Sequence, residues 1–287
     1  MYPLVIFKYL FIQNALLAAL LMSVTCGIIG TYIVSRRMVF ISGGITHASF
    51  GGVGIGYFFG FPPLVGAALV AVAAALTTEN LTRKKTIRND SIIAIMWSLG
   101  MAIGIIFVYL SPGYAPNLMS YLFGSIITVN QTDLWFMLAL ASGVVLFFTL
   151  FYRPILYVSF DEEFAKTRGI PVMLFNYLLI LLVALTIVLS IRIAGIILVL
   201  SVLTIPQNVA NLFTNRFSRI MISSVIIGFL ASLLGLIISF FLDIPSGATI
   251  IFTLVVIYLV ARIIKVVTFG KSLRTKKPFT NGPERDH

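Results

Sequence analysis

Apolar stretches of about 20 residues, parted by short clusters of cations, recur along almost the whole chain. They fall near 10–34, 38–60, 63–80, 91–111, 131–152, 172–190, 193–214, 218–241 and 247–265. About 20 apolar residues is the length a helix needs to cross the hydrocarbon core of a bilayer. No water is present there to satisfy backbone N–H and C=O groups, so a helix, which pairs them internally, is the spanning element these lengths allow. Composition agrees, since 60% of the 287 residues are hydrophobic and 10% are charged, against about 25% charged in a soluble domain. The expected fold is all-α, a polytopic integral membrane bundle of eight or nine transmembrane helices.

The placement of charge then gives an orientation. A net charge of +11 would suit a nucleic-acid partner, but the cations sit in the short connectors between apolar runs, so no nucleic acid is expected. Of the 20 Lys and Arg residues, all but Lys8 and Arg192 fall on one face of the implied threading. Basic connectors stay on the cytoplasmic side, which puts loops 81–90 and 153–171 and the C-terminus in the cytoplasm. Residues 1–268 form the membrane domain, and 269–287 are a polar, basic cytoplasmic tail. The first apolar stretch is long and has no basic lead beyond Lys8, so it reads as a span and not as a cleavable signal. The lone Cys26 supports no disulfide framework.

Two places break the pattern. Residues 112–130, "PGYAPNLMSYLFGSIITVN", form an outer loop whose apolar piece is too short to span and suits a re-entrant segment. Between the sixth and seventh runs stands only "SIRIAG", and Pro206 lies inside the seventh. Proline removes a backbone hydrogen bond, so a broken helix is expected there.

Several chemistries are missing. There is no GxxxxGKS/T loop to cradle phosphates, no HExxH or GxSxG, and no Cys/His cluster at zinc-site spacing. Of nine acids, Asp161, Glu162 and Glu163 share one connector, Glu79 and Asp90 flank another, Glu284 and Asp286 lie in the tail, and Asp133 and Asp243 sit at the outer ends of spans. None stands in a pair at mid-depth, where an intramembrane enzyme or proton relay would hold one. The chain reads as a conduit and not as an enzyme.

The connector "RPILYVSFDEEFAKTRGIPV", residues 153–172, is long, mixed in charge and bounded by Pro154 and Pro171. From Asp161 to Arg168 it reads as a short helix, acids first and cations last, stopped by Gly169. Such a helix is either a solvated interfacial element or a docking element for a cytoplasmic partner. Five stretches in order then carry a family resemblance: "RRMVFISGGITHASFGGVGIG" (36–56), "NLMSYLFGSIITV" (117–129), "DEEFAKTRGIPV" (161–172), "AGIILVLSVLTIPQNVANLF" (194–213) and "LDIPSGATI" (242–250). Across nearly its whole length the chain resembles the membrane permease subunits of metal-ion ABC importers, the ABC-3 family, which carry zinc, manganese or iron. The resemblance implies import across a bacterial or archaeal cytoplasmic membrane by a permease homodimer, with a pore at or near its two-fold axis. It also implies a cytosolic ATPase that uses the ATP, an extracytoplasmic metal-binding protein that delivers the cargo, and no cofactor bound by this chain. Asp161, Glu162, Glu163, Ala165, Lys166 and Gly169 match the part that seats on the ATPase. The alternative class, a stand-alone secondary transporter, lacks its acid pairs and repeated halves here.

One polar residue inside the apolar runs stands out. In "ISGGITHASFGG", residues 41–52, His47 is one of two histidines, the other being His287 in the tail. As a helix, Gly43, His47 and Gly51 share one stripe, and Gly44, Ala48, Gly52 and Gly56 the next. Small residues at every fourth position let a neighbouring helix approach closely. They do not account for an imidazole. Two readings fit it: a metal contact or gate on the translocation path, or a buried histidine satisfied by a backbone carbonyl. Many family members read "GDxxxHAS" and "YLFGD", whereas this chain has Gly43 and Ser125 where those carboxylates stand. The cargo is then a divalent ion held by His47 with hydroxyls, carbonyls and water, an ion on a differently lined path, or a metal chelate.

The threading predicts that single cysteines at Thr86 and Asn117, in a Cys26→Ser background, react with an impermeant thiol reagent from opposite sides of the membrane. Labelling of both from outside would overturn it.

Overall fold

A computed structural model describes residues 9–84, 89–111, 124 and 126–273. The labelling positions Thr86 and Asn117, the loop motif with Ser125, most of the expected re-entrant segment and the tail with His287 lie outside the described residues. The described residues contain eleven α-helices, one 3-10 turn at Ile126–Thr128 and no strand. In chain order the helices are α1 (Leu10–Ser35), α2 (Val39–Phe59), α3 (Pro63–Lys84), α4 (Asn89–Leu110), α5 (Gln131–Leu150), α6 (Tyr152–Phe160), α7 (Glu162–Thr167), α8 (Val172–Val202), α9 (Ile205–Phe213), α10 (Phe217–Leu242) and α11 (Ser246–Leu273). The expected all-α bundle is present.

Seven described segments are long and apolar enough to cross a membrane. α2 is a further 21-residue helix, diluted by six glycines and His47. α1 is the centre of the bundle: 72% of its span is buried, against 22–33% for α3, α4, α5, α10 and α11, whose outer faces are left for lipid. The polar residues within α1 and α2 do not leave unpaired groups in that apolar interior. Ser23, Thr31 and Thr46 donate to the carbonyls of Ala19, Gly27 and Ser42, one turn back, at 2.7 Å, which satisfies each hydroxyl within its own helix.

The "SIRIAG" link is not a loop. Helix runs on both sides of it, within Val172–Val202, and the two stretches meet at a kink where Gly195 leaves helical geometry (φ 76, ψ 166). The chain reverses there. Ser190 Oγ lies 3.7 Å from Cys26 Sγ, and Gln207 Nε2 donates to the Cys26 carbonyl at 2.8 Å. A continuous helix would hold Ser190 and Gln207 about 25 Å apart, so the two arms fold back on each other beside α1. The expected break at Pro206 is also present, because α8 ends at Val202 and α9 begins at Ile205 with proline in its first turn. Proline is tolerated there, where its missing N–H has no helical partner to lose. Among the described residues, the seven apolar spans, α2 and the arm after the reversal are consistent with the expected eight or nine helices.

α2 is held by contacts between backbones. A Cβ added at Gly52 would meet the Gly66 carbonyl of α3 at 2.1 Å, and one at Gly54 would meet the Gly104 carbonyl of α4 at 2.4 Å. Within the stripe Gly44, Ala48, Gly52, Gly56, Gly44 faces Ile93 of α4 while Gly52 and Gly56 face α3, as the spacing implied, and Gly54 outside the stripe adds a contact with α4. Gly143, in contrast, has nothing within 4 Å of an added Cβ. Gly52→Ala is therefore expected to cost about 3 kcal/mol, while Gly143→Ala is neutral. Thermal melting of the purified protein in detergent checks this, and equal melting temperatures for the two variants would contradict it.

Candidate functional site

His47 occupies the middle of α2, and its position follows from the glycine contacts on either side of it. A Cβ on Gly100 would fall 2.5 Å from Ala48 Cα and 2.6 Å from the His47 carbonyl, so α4 presses directly on this turn. The His47 ring stacks on Trp97 of α4, with centroids 4.1 Å apart and planes 16° from parallel. The residue is 9% exposed, and its Nδ1 is buried with no hydrogen-bond partner. Both sequence readings of the imidazole stay open, since the unpaired atom is one of its two ring nitrogens. Phe40, Ile93, Ala94 and Trp97 line an open cavity of about 370 Å³.

A divalent ion needs several ligands, typically four or more. Among the described residues no three His, Cys, Asp or Glu side chains come together, so His47 belongs to no such group there. Gly43 explains part of this. A Cβ there would lie 3.3 Å from Trp97 Cζ3, tighter than side chains ordinarily pack, so the indole that covers His47 occupies room an aspartate at this position would need. Asp133, at the opposite end of the bundle, is not available either: it pairs with Arg192 and forms a capping box with Asn130. What the described residues offer is a single buried imidazole edge behind an aromatic cover.

The second predicted site is the connector 153–171. It is less a loop than the sequence implied, because Tyr152–Phe160 is helical as well as Glu162–Thr167. The two short helices meet in an elbow at Asp161, whose backbone is extended (φ −150, ψ 96) and whose side chain accepts from the Phe164 N–H at 2.9 Å. That cap starts α7 as the residue pattern foretold. Gly169 ends it in the left-handed region (φ 73), with its N–H bonded to the Lys166 carbonyl at 2.9 Å. Ala165 is fully buried, which seats the helix on the bundle, while Asp161, Glu163, Lys166 and Gly169 are exposed. Two aromatic side chains that sequence reading passed over, Phe160 and Phe164, are exposed on the same elbow, and the Arg168 guanidinium lies 5.2 Å from the centroid of the Phe164 ring. Exposed phenylalanines between charged residues were the available signal.

Glu162 plays a different part from its neighbours. Its carboxylate accepts from Arg36 Nη2 at 2.8 Å and from Asn176 Nδ2 at 3.1 Å, while Arg36 Nη1 donates to the Val158 carbonyl at 2.8 Å. Burial acts against the Arg36 charge, but Tyr32, Glu162 and Glu79 outweigh it and raise its pKa above the ordinary value. Glu163 and Lys166 form an exposed pair within one helix, which contributes about 0–1 kcal/mol. The Arg36–Glu162 contact, half-buried and charge-assisted, is on the order of 1–2 kcal/mol and joins separate elements. Sequence reading used Arg36 only as an orientation marker, since nothing local reveals a partner so far along the chain.

The ABC 3 transport family model matches residues 8–265. The chain is 41% identical over 254 residues to an uncharacterised membrane protein of Synechocystis, covering 88% of this chain and 90% of that one. It is 35% identical over 244 residues to a manganese transport system membrane protein, MntC, of Halalkalibacterium halodurans, covering 85% and 84%. Among solved structures it matches PsaBC from Streptococcus pneumoniae, determined in complex with a Fab, at a TM-score of 0.82 and 30% identity, covering 92% of this chain and 96% of that chain.

Proposed function

Because the chain belongs to the ABC 3 transport family, a family of multi-pass membrane transport proteins and not of enzymes, we propose that it is the permease subunit of a divalent-metal importer driven by a separate ATPase. The observation that carries this reading is the capped, mixed-charge elbow at 152–169, anchored to the bundle on one side and exposing Phe160, Phe164 and Glu163 on the other. It is a seat for a soluble partner on a chain that has no nucleotide loop of its own. The elbow and the C-terminus lie in the cytoplasm, where the basic connectors place them. A binding protein on the opposite side hands over the ion, and no cofactor is held by this chain.

Manganese is the first cargo to test, since the similar protein of Halalkalibacterium halodurans is named for it; zinc, iron and a metal chelate are the others. His47 borders the path and touches the ion in transit. Two permease copies pair, and the second supplies what one His47 lacks. A site assembled weakly from two sides suits a pore, because tight binding would prevent release.

Uptake of manganese, zinc and iron by cells expressing the complete transporter tests the reading, with protein level measured in parallel. His47→Ala is expected to lower uptake of the cargo metal by about ten-fold or more. His47→Gln, which keeps a hydrogen bond but is a poor ligand, fails equally. Gly169→Val, which forces a branched side chain into the left-handed region, and Glu163→Lys at the seat remove uptake without preventing membrane insertion. Full uptake by His47→Gln would reduce the imidazole to a structural group, and wild-type uptake in both elbow variants would remove the docking role.

A further inference from the structure

One guanidinium ties both arms of the elbow to the end of α1. Arg36 donates with one nitrogen to Val158 in α6 and with the other to Glu162 in α7, so it bridges the two arms of the elbow across the extended Asp161. A planar fork with fixed donors is pre-organised to hold both at once, whereas a lysine ammonium is a compact charge on a flexible stem. Arg36 is also the C-cap of α1, its N–H bonded to the Tyr32 carbonyl at 3.0 Å. Two residues later the Met38 N–H bonds to the Ile33 carbonyl at 2.8 Å, Arg37 between them is held in the left-handed region (φ 58), and α2 begins at Val39. No loose segment separates the clamp from the helix that carries His47. α2 itself is gripped by backbone contacts at Gly51 and Gly52, which leave it little room to bend alone.

We propose that Arg36 is a positioning residue of transport, which joins α6, α7 and the α1–α2 turn so that displacement of the docking elbow is carried to α2 and the His47–Trp97 contact. It acts through Glu162, which Asn176 at the start of α8 also holds. The Glu163–Lys166 pair has no such role, because both partners ride on α7. The proposal rests on the reading of the chain as a permease driven by a separate ATPase.

The test uses the permease assembled with its ATPase and binding protein in proteoliposomes, and reads Mn²⁺ transported per ATP hydrolysed. In Arg36→Gln the ATPase still copurifies, and the ratio falls about five-fold or more. Arg36→Lys, which keeps the charge but loses the pre-organised fork, gives an intermediate ratio. A side chain with only a structural role would lower yield and leave the ratio unchanged, so an Arg36→Gln ratio equal to wild type overturns the proposal. If Arg36→Gln is not recovered folded, the reversed pair Arg36→Glu with Glu162→Arg decides. Restored coupling supports the clamp, and an assembled but uncoupled complex overturns it. Absence of ATP-dependent uptake of Mn²⁺, Zn²⁺ or Fe²⁺ by the wild type would instead overturn the permease reading, and this proposal with it.

Discussion

Main chains approach one another directly on both flanks of α2: Gly52 against the Gly66 carbonyl of α3, and Gly54 against Gly104 of α4. Lipid tails are as apolar as leucine, so burying apolar side chains against each other gains little in a membrane, and helices associate through close packing. Glycine permits that packing here at the cost of hydropathy, which is why α2 is a buried helix of the bundle although its own composition is less apolar than its neighbours'. The same contacts bring α4 onto the His47 turn and set Trp97 across the imidazole. Much of the site's geometry follows from them.

The two regions of interest lie at different depths of one continuous piece of structure. At the end rich in cations, Arg36, Glu162, Val158 and Asn176 form a polar junction between α1, the elbow and α8. Nearer the middle, His47 lies buried with an unpaired nitrogen. α2 connects them without a break, and α8 leads from the same junction to the reversal at Gly195 and back along α1. Charged groups at the junction are half-buried and hydrogen-bonded, whereas polar groups deeper in the bundle mostly bond to their own helices. The second pattern makes rigid rods, and the first makes a joint between them.

Local rules made several features legible. The reversal of charge from Asp161 to Arg168, with Gly169 after it, gave a capped helix, and the structure has the cap, the helix and the left-handed glycine. Pro206 gave a break, which falls between Val202 and Ile205. Other features were hidden for physical reasons. α6 was read as connector because its residues carry too little periodic signal over nine positions. The link at "SIRIAG" was read as a gap between runs, yet helix runs on both sides of it and the kink falls at the single residue Gly195. Trp97 gave no sign of its role because stacking on His47 depends on the register of α4 against α2.

Length of apolar run, position of cations and the spacing of small residues are properties of the chain alone, and they determined that it is an all-helical membrane bundle with a capped polar elbow and a closely packed glycine helix. Each depends on interactions with solvent, with lipid or within about four residues. The partner of Arg36, the cover on His47 and the path of α8 after Gly195 depend on residues far apart in the chain meeting across helix interfaces. Hydropathy is the same for every lipid-facing and core-facing rotation of an apolar helix, so it carries no record of which neighbours meet. Only the packed bundle decided that.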